Sequence, residues 1–304
     1  MANITPTVAQ YFIPEVWANR ALEILRSNVV LARLVAKDSD VAAFQVGDIL
    51  HIPYPGTFTA NDKAAGSAVT VQTPSGGTEV QVTLNKHKEV SFVVEDVARA
   101  QANQDLLDRY INAAVPALAE QIESDLFALY ADIATAGYTV GTSGTDLTAA
   151  TIRSARKKLN DNKCPLNPRH LVISSKDEIA LLGDSNLATY FAMARSQGIS
   201  DGSIGNLYGF QVWMSQLVPA VAGTPVSTKN MAFHPEAFIL AMRGLPEPPA
   251  STGAQAATIR DPESGLVIRV LYAYNPSYLG VQVTMDVLYG VKVLRAEKAC
   301  VVLS

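Results

Sequence analysis

Residues 80–95 read VQVTLNKHKEVSFVVE, with Val80, Val82, Leu84, Lys86, Lys88, Val90, Phe92 and Val94 at the even positions. Apart from the two lysines in the middle, that is one apolar face repeating every second residue, the period of a β-strand. At about 3.3 Å per residue a single strand over this stretch spans roughly 50 Å, well beyond the usual strand of about 5–6 residues. A fold for this chain must give such a strand a surface to lie on and explain the charged break in its buried face.

The flanking sequence sharpens the problem. Phe44–Ile52 (FQVGDILHI) reads as another strand, stopped by Pro53 and Pro55. Between the two, Tyr54–Glu79 holds only Tyr54, Phe58, Val69 and Val71 as bulky apolar residues, too few for a core. Loops longer than about 12–15 residues are uncommon unless they have a function. The segment therefore reads as the tip of an extended hairpin. A two-stranded ribbon is marginal alone in water. Its apolar stripe needs a partner surface, and the expected source is another subunit.

Composition points the same way. Of 304 residues, 48% are hydrophobic and only 17% charged, against about 25% charged in an average soluble domain. A chain this long can bury a sizeable core, and one so poor in charge either has little free surface or covers its surface with partners. The net charge of -4 argues against a nucleic-acid binder, which carries a basic footprint. The opening MANITPTVAQYFIPEVW has neither the basic start nor the apolar run of an export signal. No stretch approaches the ~18 apolar residues of a membrane span. Cys164 and Cys300 lie far apart and read as free thiols of a reducing compartment, so the expectation is a soluble protein made in the cytosol.

Along the rest of the chain, Pro14–Ala36 reads as an amphipathic helix on Val16, Ala21, Leu25, Val29 and Leu34. Asp105–Ile133 reads as a long helical region that Pro116 should kink or divide near Ala113. A linker at Gly137–Gly144 precedes a helix over Thr148–Asn160, a short buried strand over Arg169–Ser174 and a helical turn or two over Lys176–Gly183. From Asp184 to Thr258, short apolar runs separated by Gly, Ser and Pro read as a compact α+β unit. A strand pair flanks the turn Asp261–Gly265, and Gln282–Leu303 alternates as a second long strand.

Chemistry-bearing constellations do not emerge. His51, His87, His170 and His234 share no metal-ligand spacing and read as surface or strand-end residues. The glycines from Gly202 to Gly209, and Gly141 with Gly144, fit turns better than phosphate loops or a nucleophile elbow. Asp96, Glu120, Glu123 and Asp125 sit at the spacings of a solvated helix face. Arg153, Arg156, Lys157 and Lys158 read as a solvated or subunit-contacting face, without the interleaved aromatics of a nucleic-acid site. No catalytic, cofactor-binding or metal residue is assigned, and the chain is not expected to be an enzyme.

Several segments together resemble one family. VTLNKHKEVSFVVEDVARAQANQDLLDRYINAAVPALAEQIESDLF is similar to the extended loop and spine helix of tailed-phage major capsid proteins with the HK97 fold. TIRSARKKLNDNKCPLNPRHLVIS looks like that family's peripheral domain, and LYGFQVWMSQLVP like its axial domain. NMAFHPEAFILAMRGLP and the closing DVLYGVKVLRAEKACVVL match two further stretches, in the family's order.

The resemblance implies an α+β chain with five parts. They are an N-terminal arm with a helix (1–45), an extended hairpin loop (46–94), a peripheral domain with the spine helix (95–183), an axial domain (184–258) and C-terminal strands returning to the peripheral domain (259–304). It also implies self-assembly into pentamers and hexamers of an icosahedral head in the virion, around double-stranded DNA held without sequence-specific contact. A separate scaffolding protein, a portal and decoration proteins are the further partners, with no membrane and no cofactor. Val82, Lys86, Lys88, Val90 and Phe92 become the expected subunit-contact residues, with the lysines pairing with carboxylates where the strand leaves its own body. An encapsulin-type nanocompartment shares the fold and is the alternative. A soluble enzyme or binding protein, a monomer or small oligomer with a pocket, is the reading from another class.

Overall fold

The computed structural model describes residues 21, 29–37, 49–54, 56, 58–73, 78–96, 106–184, 205–222, 225–249, 253–260 and 265–304. Most of the helix expected over Pro14–Ala36, the first half of the strand expected from Phe44, and residues 185–204 lie outside them.

Among the described residues the first complete elements are α1 (Leu31–Leu34), β1 (Ala36–Lys37), the hairpin strands β2 (Ile49–Tyr54) and β3 (Thr78–Thr83), and β4 (Lys86–Glu95). Then come α2 (Leu106–Phe127), α3 (Tyr130–Thr135), β5 (Thr139–Gly141), α4 (Ala149–Asp161), β6 (His170–Ile173) and α5 (Ser175–Leu182). The short strands β7 (Asn206–Leu207), β8 (Phe210–Met214) and β9 (Ala220–Val221) precede β10 (Ser227–Phe233) and β11 (Phe238–Arg243). Last are β12 (Gln255–Arg260), β13 (Val267–Asn275), β14 (Gly280–Val293) and β15 (Ala299–Leu303).

Helix α2 forms because Val115, Leu118, Ala119, Ile122 and Leu126 fall on one stripe, and all are buried. Pro116 does not divide it: α2 is a single helix of 22 residues. A proline inside a helix costs about 3 kcal/mol, and burial of that stripe offsets the loss. The break falls instead after Phe127, where α3 restarts.

Two sheets share the main core. In the first, the order is β1-β11-β14-β13-β12, with β4 on the free side of β14. Alternate residues of β14, namely Val281, Val283, Met285, Val287 and Tyr289, point to the main core together with the α2 stripe. The second sheet runs β5-β15-β10-β6-β8-β7, with β9 on β10. Helix α4 covers one of its faces: Ile152, Ala155 and Leu159 pack with Leu171, Ile173, Ala232, Cys300 and Val302. The other face gives Val172, Met231, Phe233 and Val301 to the main core. Thr148 caps α4, accepting the Thr151 N–H. The β7–β8 turn places Tyr208 and Gly209 both at positive φ, the two-residue hairpin that the twist of paired strands favours.

The sheets cut across the expected parts. Strand β6 pairs with β8 and β10, so two ladders cross position 183/184. Consecutive strands β10 and β11 belong to different sheets. The strand expected over Gln282–Leu303 is two strands, parted by a 3-10 turn at Ala296–Lys298, and β15 joins the second sheet rather than returning to the first. Glu236 binds Arg295 and Lys298 at that corner. Composition shifts mark loops, whereas a central strand takes its ladder partners from any distance along the chain. No described helix is long and apolar enough to cross a membrane.

Candidate assembly joint

The stretch 80–95 is not one strand. At Leu84 and Asn85 the ladder stops, and the chain changes partners. Before the break, β3 pairs with β2 in the register Leu50↔Val82. After it, β4 pairs with β14 from Lys86↔Tyr289 to Glu95↔Gly280. Leu50, Val82 and Leu84 pack on Ile239 and Ala241, residues of β11 that alternate with those facing the main core. The hairpin base therefore lies on the outer face of the first sheet, opposite α2. At residues 84–85 the chain steps from that face into the sheet's edge.

Gly290 makes the crossing possible. The Thr83 carbonyl and the Leu84 Cα pass directly over it, and a methyl group at 290 would run into the Thr83 oxygen. Here glycine serves a close backbone approach.

Two carboxylates, one on each face, fix the first residues of β4. On the inner face, Lys86 Nζ lies 3.0 Å from Asp125 Oδ1. The Tyr289 hydroxyl donates to Asp125 Oδ2 at 2.6 Å. Burial works against the Asp125 charge, but the Tyr289 hydrogen bond and the two lysines, Lys86 and Lys88, outweigh it and hold its carboxyl below the usual range. Burial, then the same carboxylate, push the Tyr289 phenol well up. On the outer face, His87 Nε2 sits 3.0 Å from Asp286 Oδ2, and Arg269 grips both oxygens of Asp286 from the neighbouring β13. Arg269 also donates to the Pro246 carbonyl at 2.6 Å.

A third carboxylate anchors another segment. Glu123 is buried and accepts the backbone N–H groups of Leu31 at 3.0 Å and Ala32 at 2.8 Å. Burial raises its pKa, with those N–H groups pulling the other way. Glu123 and Asp125 are thus not part of a solvated helix face: each is enclosed by a partner segment that sequence spacing does not reveal. Asp96 accepts from the Tyr274 hydroxyl at 2.9 Å.

Of the five expected contact residues, Val82 is fully buried within its own chain, packed on β11. Lys86 and Lys88 come together around Asp125, a carboxylate of the same chain. Val90 and Phe92 are partly buried against the main core, with the Phe92 ring 5.4 Å from that of Tyr110. The local surface that the stripe needs is the sheet formed by β11 and β14, which are remote in sequence and so invisible to periodicity.

Beyond the joint, residues 58–73 carry no regular ladder, and Gln72 ties the loop across itself by accepting from the Thr59 N–H at 3.0 Å and donating to the Thr59 carbonyl at 2.6 Å. The tie leaves Phe58 66%, Val69 67% and Val71 90% exposed.

Elsewhere, the described residues offer little reactive chemistry. Both cysteines are free and buried, and burial pushes the Cys300 thiol up to about 12. His170 opens β6 and His234 directly follows β10, so both are strand-end residues, but buried ones, and burial lowers both. Arg156 donates to the Tyr208 carbonyl at 2.8 Å, and Lys157 pairs with Asp161. Among the described residues no cluster of metal-ligating side chains occurs.

Residues 77–284 match the family described as phage capsid protein. No curated sequence gives a match. Among solved structures, one from Mycobacterium phage Che8 superposes with a TM-score of 0.66 at 22% identity, covering 90% of each chain. The capsid of cyanophage P-SCSP1u gives 0.62 at 15% identity, covering 90% of this chain and 87% of the other. An encapsulin complex from Synechococcus elongatus gives 0.53 at 13% identity, covering 90% and 85%.

Proposed function

Because this chain belongs to the phage capsid protein family, as a major capsid protein with the HK97-type fold, we propose that its copies assemble as pentamers and hexamers of an icosahedral head around double-stranded DNA. The observation that carries the reading is the joint. The hairpin base is clamped to both faces of the first sheet, while its loop presents Phe58, Val69 and Val71 to solvent. A rigid base with an apolar, unsupported end is built to rest on a neighbouring subunit. Lys88, Val90 and Phe92 are only partly buried along the same edge strand, and what they leave uncovered extends that contact.

Each such contact is weak alone, and closure of many copies multiplies small interface energies into a stable shell. The net charge of -4 suits a container that must not grip its DNA. The role is structural and not enzymatic, and the protein is made in the host cytoplasm before it enters the virion. A scaffolding protein, a portal and decoration proteins complete the set of partners. The encapsulin reading shares the fold, but the match over residues 77–284 is to a phage capsid family.

The test is to express the chain with and without a co-expressed scaffolding protein, sediment it, and image the fast fraction by electron microscopy. Closed particles or sheets of hexamers are expected. A clean monomer of 32.5 kDa under both conditions would overturn the reading.

A further inference from the structure

Two carboxylates on one turn of α2 hold two different segments of the chain. Glu123 and Asp125 are two residues apart, so their side chains leave the helix about 200° apart. Glu123 takes the N–H groups of Leu31 and Ala32, the first residues of α1. Asp125 takes Lys86, the first residue of β4, and the Tyr289 hydroxyl.

We propose that the 123–125 turn of α2 is a mechanical node that gears the segment 31–37 to the base of the hairpin, so that neither shifts without the other. A helix is stiff over one turn, and an axial slide of one residue, about 1.5 Å, carries both acceptors together and takes both bonds out of range. A roll about the axis presses one carboxylate toward its partner as it lifts the other. A second route closes the loop. Helix α1 runs into β1, which pairs with β11 in the register Ala36↔Ile239. Ile239 is one of the residues on which Val82 packs. The same two segments are therefore joined through α2 on the inner face and through β11 on the outer one. The inference concerns contacts within one chain, so its failure leaves the shell reading untouched.

The experiment is amide hydrogen exchange on the unassembled full chain at pH 8, for the wild type, Asp125→Asn, Glu123→Gln and the double variant. Each single variant is expected to speed exchange, on the order of fivefold, in both residues 31–35 and residues 80–83. The double variant should fall short of the product of the two, because coupled sites are not additive. If each variant speeds only its own segment, the node is wrong. Lys157→Ala, which breaks an exposed ion pair on α4, should move neither segment. Equal acceleration by that variant would mean general loosening and would equally sink the proposal. Should Asp125→Asn fail to fold, Lys86→Met removes the same ion pair from the strand side.

Discussion

Gly290 and Glu123 show how much of this fold rests on single positions that face two ways. At Gly290 the main chain of Thr83 and Leu84 occupies the space a side chain would need. Gly290→Ala must push the hairpin base off the sheet or shift β14, and overpacking of this kind costs about 1–3 kcal/mol. The expected outcome is a melting temperature lower by several degrees, and an unchanged one would show that the crossing adapts freely. At Glu123 the argument is one of linkage. Burial raises its folded pKa above the ordinary 4.5, so between those two values the folded chain holds a proton that the unfolded chain has released. Stability conferred by this group is therefore present below 4.5 and is lost as pH rises through the folded pKa. Glu123→Gln cannot titrate, so the stability of the wild type relative to this variant should decline as pH rises above about 4.5. Thermal melts of both proteins across that range check it, and curves that stay parallel would contradict it. Asp125, held low, acts in the opposite sense: its contribution is present above the ordinary 3.8 and fades only as pH falls through its depressed value.

At the scale of elements, the sequence was legible wherever one periodic face met one partner. The α2 helix, the short strand read over Arg169–Ser174, helix α4 and the pair β12–β13 all read directly from spacing. Residues 80–95 were legible as alternating but not as broken, because β3 and β4 keep the same parity while packing on opposite faces of one sheet. The lysines at 86 and 88 marked the place. Their partner Asp125 lies on a helix whose exposed positions carry carboxylates at the same spacings, so nothing local sets it apart. Tyr289 and Gly290 stood in a motif noted for its resemblance, yet their tasks, one toward Asp125 and the other toward Thr83, depend on which faces of β14 are covered. Pro116 is the clearest override of a local rule. It sits inside an unbroken α2, so Pro116→Ala should restore one backbone hydrogen bond and raise stability by roughly 1–3 kcal/mol. A drop in melting temperature would instead mean that the proline shapes the helix to its bed against β4 and β14.

For the whole molecule, the division of apolar surface decides what a subunit can do alone and what only an assembly can do. Val82 belongs to the first kind: it is fully buried in its own chain, so Val82→Ser should lower monomer stability whether or not shells form. Loss of assembly in that variant says nothing about contacts between subunits. The loop end belongs to the second kind, because Phe58, Val69 and Val71 are largely exposed in the single chain. Replacing all three with serine should leave the unfolding free energy of the monomer within the ±0.5 kcal/mol typical of surface changes. If the loop rests on a neighbouring subunit, the same substitution removes that apolar burial once per copy, and the repeated loss is multiplied around a closed shell. Assembly should then need a much higher protein concentration or fail, as read by sedimentation at matched concentrations. Particles forming at the wild-type threshold would show that these side chains stay in solvent in the assembled state. The shell would then be held by the body of the subunit, with the hairpin only lying alongside.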